Sequence, residues 1–118
     1  MKKSDKKLDN KLRNALMVVC EQALNENAGF KWLTHIVNFN RFPQSLIVVC
    51  VFDTNADLDK AKSNNLTAEL VKLISCEFVK AEFNIKELTQ HVKFDTEENC
   101  DNQNYGRWNQ RLSGFVVH

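Results

Sequence analysis

The chain predicts an α+β fold: a two-layer α/β domain in the order α-β-β-α-β, with a small mixed three-stranded sheet and a short C-terminal helix. Three observations carry that expectation. A long opening segment repeats its apolar residues at helical spacing, two runs rich in β-branched and aromatic residues flank the only proline, and a second helical pattern separates those runs from a later alternating stretch. With 118 residues, 43% hydrophobic and 26% charged, the chain suits a single globular domain over 1–118.

From Asp5 to about Asn27, Leu8, Leu12, Ala15, Leu16, Val19, Ala23 and Leu24 recur on one side while Lys7, Asp9, Lys11, Arg13 and Glu21 fill the others. Ser4 or Asp5 is placed to cap this helix, and Gly29 to end it with a left-handed residue. Met17 and Val18 widen the apolar stripe, so the helix is expected to meet a second surface as well, either its own sheet or a partner subunit.

The runs WLTHIVNF (Trp32 to Phe39) and SLIVVCVF (Ser45 to Phe52) enclose NRFPQ and read as an antiparallel hairpin. Leu46 to Phe52 is apolar throughout, which predicts a central strand covered on both faces. LTAELVKLISCEFV (Leu66 to Val79) sets Leu66, Leu70, Leu73, Ile74 and Phe78 near one side of a second helix, with Asn65 available as its cap. Whether ADLDKAKS adds an earlier helical turn is open on pattern alone. Leu88, Gln90, Val92 and Phe94 alternate with Thr89, His91 and Lys93, the pattern of an edge strand with one wetter face. A short helix around Arg107 to Leu112 comes last. A helix between the second and third strands makes those two strands parallel.

Chemistry is sparser. Lys plus Arg number 16 and Asp plus Glu 15, so a net charge of +1 gives no strong global field for nucleic acid or anionic membrane. No apolar run reaches the roughly 20 residues of a membrane span, and MKKSDKKLDNKLRNAL is broken by acids where a signal peptide needs its apolar segment. The expected location is the cytoplasm, away from membranes. Of the four cysteines, Cys20, Cys50 and Cys76 lie in apolar helix or strand patterns and read as reduced, packed thiols, with Cys100 apart from them. None forms a CxxC pair, and His35, His91 and His118 have no ligand-spaced neighbour, so neither metal nor other cofactor is expected.

The tripeptide Phe-Asp-Thr occurs twice, at Phe52-Asp53-Thr54 and Phe94-Asp95-Thr96. If the second and third strands are adjacent and parallel, Asp53 and Asp95 leave the sheet at the same edge, about 4.8 Å of strand spacing apart, as ligand or metal candidates. The simpler reading is that Asp and Thr accept hydrogen bonds from free backbone N-H groups as a strand turns into a helix. The Thr54 to Asp57 spacing approximates a capping box. No Gly-rich phosphate loop, GxSxG elbow, Cys-His signature or HExxH helix is present, and no catalytic residue is assigned. The helix, hairpin and crossover strand overlap part of the restriction-like endonuclease core, but its Glu-x-Lys triplet is missing.

Two basic clusters remain as nucleic-acid candidates: Lys3, Lys7 and Lys11 on the first helix, and Arg107 with Arg111 beside Tyr105 and Trp108. Charged helix faces are ordinarily just solvated, so the leading expectation is a non-catalytic interaction module that forms a homodimer through an exposed strand edge and the broad first helix.

KSDKKLDNKLRNAL, GFKWLTHIVNFNRFPQSLIVVCVFDTN and HVKFDTEENCDNQNYGRWNQRL together resemble a group of small uncharacterised proteins from marine and related gammaproteobacteria, over nearly the whole chain. Some of that group carry a label as Fis-type transcriptional regulators. The label implies a helical dimer ending in a helix-turn-helix, whereas a β-hairpin occupies the middle of this chain and its carboxyl end lacks two consecutive strong helical patterns. No functional residue follows from the resemblance.

Overall fold

A computed structural model describes residues 2–116. The chain runs through α1 (Lys3–Glu26), β1 (Phe30–Ile36), a 3-10 turn (Phe39–Arg41), β2 (Ile47–Phe52), α2 (Asn55–Ser63), α3 (Leu66–Lys80), a second 3-10 turn (Leu88–His91), β3 (Val92–Thr96), α4 (Glu97–Asn104) and α5 (Trp108–Ser113). The sheet order is β1-β2-β3. β1 pairs with β2 antiparallel, and β2 pairs with β3 parallel, from Val48 opposite Val92 to Phe52 opposite Thr96. The fold is α+β with a mixed three-stranded sheet, as the pattern predicts.

β2 is central because it has no polar residue to offer solvent; all six of its residues are buried. Alternation sends Val48, Cys50 and Phe52 into the main core, against Leu12, Leu16 and Val19 of α1 and Leu70, Ile74 and Phe78 of α3. Ile47, Val49 and Val51 face the other way, where Trp32, Ile36, Trp108, Leu112 and Phe115 cover them. The C-terminal segment therefore supplies a thin second cover to the sheet.

Several boundaries differ from the expectation, each for a local reason. α1 starts at Lys3 with Lys2 at its cap and no side-chain cap bond, so neither Ser4 nor Asp5 fills that role. It ends at Asn27, whose N-H reaches Ala23 O, while the left-handed Gly29 (φ +84°) makes the turn into β1. That turn starts β1 two residues early; the strand ends at Ile36, ahead of the 3-10 turn that Asn38 caps. Asn65 precedes α3 in a left-handed conformation without capping it through its side chain. ADLDKAKS is helical: α2 precedes α3, so the crossover holds two helices.

The alternation at Leu88 to His91 is not a strand. A left-handed Glu87 winds these residues into a 3-10 turn, closed by Gln90 N-H to Glu87 O, and His91 Nδ1 lies 2.7 Å from Leu46 O. Thiol placement differs too: Cys76 is exposed, whereas Cys100 is buried with Cys50. Burial, followed by the neighbouring Cys20, pushes the Cys50 thiol up to about 12. Among the described residues, no helix is long and apolar enough to cross a membrane.

Candidate functional site

β2 and β3 deliver both Phe-Asp-Thr tripeptides to the same end of the sheet, and each threonine does the same job there. Thr54 Oγ1 accepts from Asp57 N at 3.0 Å and caps α2; Thr96 Oγ1 accepts from Asn99 N at 3.0 Å and caps α4. The two turns are tied together. Thr96 Oγ1 donates to Asn55 Oδ1 (2.7 Å), Asn55 Nδ2 donates to Asn99 Oδ1 (2.9 Å), and Asn55 N donates to Glu98 Oε1 (2.8 Å).

The aspartates part company. Asp53 is exposed, and its main chain does the work: its N-H donates to Gly29 O at 2.8 Å and its carbonyl accepts from Glu98 N at 3.0 Å. Asp95 is 3% exposed and bound on both oxygens by Arg111, Nε to Oδ2 at 2.5 Å and the second terminal nitrogen to Oδ1 at 2.9 Å. Thr96 N (2.9 Å) and Asn99 Nδ2 (3.4 Å) also donate to Oδ1. Four donors hold this carboxylate, three of them on Oδ1, and its charge is already met by the Arg111 guanidinium. Asp53 faces solvent while Asp95 is turned onto Arg111, and among the described residues no three His, Cys, Asp or Glu side chains gather in a group that could hold a metal ion. His118 lies outside the described residues.

Arg111 is equally committed. Beyond Asp95 it donates to Gln103 Oε1 (2.9 Å) and Asn104 Oδ1 (3.0 Å), and the Asp95 bond raises the guanidinium's affinity for its proton. Arg107, four residues earlier, is exposed, whereas the Arg111 guanidinium turns inward onto Asp95. Glu97 completes the cluster in a way no spacing announced: Trp32 Nε1 donates to its Oε1 (2.6 Å) and Trp108 Nε1 to its Oε2 (3.2 Å), with the two rings edge to face at 4.8 Å. The carboxyl end of the parallel pair is a closed polar knot that fixes α4 and α5 to the sheet.

The other basic candidates stand at the opposite end. Lys3 and Lys7 are exposed on the first turns of α1, and Lys11 Nζ lies 5.3 Å above the Phe83 ring. Their helix meets β1 through Asp9, which pairs with Arg13 Nε (2.9 Å) and His35 Nε2 (2.8 Å). His35 is next to the last residue of β1 and pairs with Val48, at the start of β2, far along the sheet from Asp95.

One open feature has size. A groove of about 730 Å³ runs between α1 and β1, lined on the helix by Asp9, Arg13, Met17 and Cys20 and on the strand by Leu33 and His35. It lies beside the unpaired edge of the sheet. Comparison with family models, with curated proteins and with solved structures yields no match, so the site is understood from its own geometry.

Proposed function

We propose that this chain is a non-catalytic interaction module that self-associates, two copies meeting along β1. The observation that carries the proposal is the seven-residue β1 at the sheet edge, bordered by the α1 groove and by Met17, which is 58% exposed. An unpaired strand edge is a template for another strand, and a two-fold axis across β1 continues the sheet into the second copy. The same operation brings the two α1 helices alongside one another on one face of the joined sheet. Met17 and, two turns further along the helix, the 52% exposed Leu24 then lose their contact with water. β3, the other edge, has only five residues and is held at its end by the α4 cap. The cytoplasm suits this module, because all four cysteines are free thiols and none is bridged.

Light scattering coupled to size exclusion tests the proposal. The wild-type chain should show twice the 13.7 kDa mass of one copy at micromolar concentration, and Met17→Glu with Leu24→Glu should return it to a single copy with an unchanged circular dichroism spectrum. A wild-type protein that stays at the single-copy mass, or a dimer indifferent to both substitutions, would overturn it.

A further inference from the structure

The charge of the chain is polarised. Residues 2–13 hold six Lys and Arg against two Asp, whereas residues 14–118 hold ten cations against thirteen carboxylates. The excess positive charge therefore sits on the first half of α1, while Asp53, Asp57, Glu97, Glu98 and Asp101 gather where β2 and β3 end. That half of the helix gives little to the core. Ahead of Leu12 no residue of α1 is buried, and Leu8 is the one side chain there that packs against the hydrophobic core.

At about 100° per residue, the helix sorts this surface into three strips. Asn10 and Asn14, both exposed, form a crest opposite the buried Leu12 and Val19, and Lys3 leads it. Lys6 lies on the flank toward β1. Lys7 and Lys11 lie on the other flank, toward the end of α3, where Lys11 Nζ stands 5.3 Å from the Phe83 ring. The two acids stay out of this surface: Asp9 is held by Arg13 and His35, and Asp5 is partly buried on the core side. Among the described residues, Lys3, Lys6, Lys7 and Lys11 make no ion pair. The loop beside Lys11 carries exposed Glu82 and Glu87 with Lys86 between them, and neither acid pairs with the helix.

We infer that the first half of α1 binds duplex DNA by lying in the major groove, with Lys6 on the phosphates of one strand, Lys7 and Lys11 on those of the other, and Asn10 and Asn14 toward the base edges. A helix about 10–12 Å across fits a groove about 12 Å wide. Cations on both flanks give each strand a partner, and an Asn amide offers the donor and acceptor that match adenine there. An anionic membrane suits this surface less well, because residues 2–14 expose no large apolar side chain to insert among lipids. The inference is independent of self-association through β1, since Met17 and Leu24 lie further along the helix.

Fluorescence anisotropy with labelled A·T-rich and G·C-rich duplexes, between about 50 and 200 mM salt, tests it. The wild-type chain should bind both, the A·T-rich duplex more tightly, with affinity falling as salt rises. Lys6→Gln with Lys7→Gln, one from each flank, should weaken binding at least about fivefold and lower the logarithmic salt slope by about two. Asn10→Ala with Asn14→Ala should keep that slope and abolish the preference between the duplexes. Lys60→Gln with Lys62→Gln on α2 should change neither, and circular dichroism should show all three variants folded. No association with either duplex would overturn the inference. So would a loss shared equally by the α2 pair, a base preference absent from the wild type or surviving the amide substitutions, or association with vesicles of equal parts phosphatidylcholine and phosphatidylserine in place of DNA.

Discussion

Arg111 holds Asp95 by both carboxylate oxygens, and in doing so pins the last helix to the end of the third strand. Asp95 is buried, so the pair matters mainly for what happens when one member is removed. Arg111→Leu should destabilise the fold by about 3 kcal/mol, since it leaves a buried carboxylate without its cation. Adding Asp95→Asn should recover a large part of that loss, because Asn still accepts from Thr96 N and carries no charge. Urea unfolding of the two variants gives the comparison; equal stabilities would mean the ion pair is incidental.

The twin threonine caps allow an internal comparison. Thr54→Ala removes a half-buried cap and should cost about 1 kcal/mol. Thr96→Ala should cost more, about 2 kcal/mol, because the same fully buried hydroxyl also donates to Asn55 Oδ1 and its loss leaves that oxygen without a donor. Chemical denaturation would show the two costs equal if the link to Asn55 has no weight.

Gly29 occupies a conformation and a space that no other residue suits. At φ +84° an added Cβ would lie 2.6 Å from Asp57 Cβ, at the point where the start of β1 passes α2. Gly29→Ala should lower stability by about 2 kcal/mol, from left-handed strain together with the displaced Asp57. Gly29→Ala with Asp57→Gly should return the steric share and keep the backbone share.

Thiol titration distinguishes the cysteines. Cys76 should react with a disulfide reagent in the native state, while Cys50 and Cys100 react only as the chain unfolds. Cys50 also makes stability depend on alkaline pH. Its thiol is held protonated to about 12 in the fold, while the unfolded chain loses that proton near the ordinary value of 9.0. Between those values the unfolded state binds fewer protons, so stability falls as pH rises, by up to about 1.4 kcal/mol per unit. Below that window the contribution is complete, and Cys50→Ala should flatten the decline.

What the sequence reveals here is what its local chemistry enforces. The unbroken apolar run of β2 announces a central strand, and a helical segment after it obliges β3 to run parallel; both hold. The threonine caps were legible for the same reason, since a cap reads only the next three residues. The Asp95-Arg111 pair was not, because it depends on the chain reversing at Tyr105 and Gly106, both left-handed, to bring α5 back over the sheet. Glu97 between two indoles has the same origin: Trp32 is 65 residues away, and no local spacing links them. The start of β3 is not legible because alternation at Leu88 to His91 also suits a turn held by the carbonyl of Leu46, the residue just before β2.

The chain's two tryptophans, Trp32 and Trp108, stand ring to ring beneath a single carboxylate on the face covered by the C-terminal segment. Its near-ultraviolet emission therefore reports one spot and is blind to the helical layer behind the sheet, where α2 joins α1 and α3. Far-ultraviolet dichroism, dominated by α1 and α3, watches the other side. Melting curves recorded by the two methods need not coincide, and the gap between them would measure how far the tail can lift before the rest of the molecule gives way.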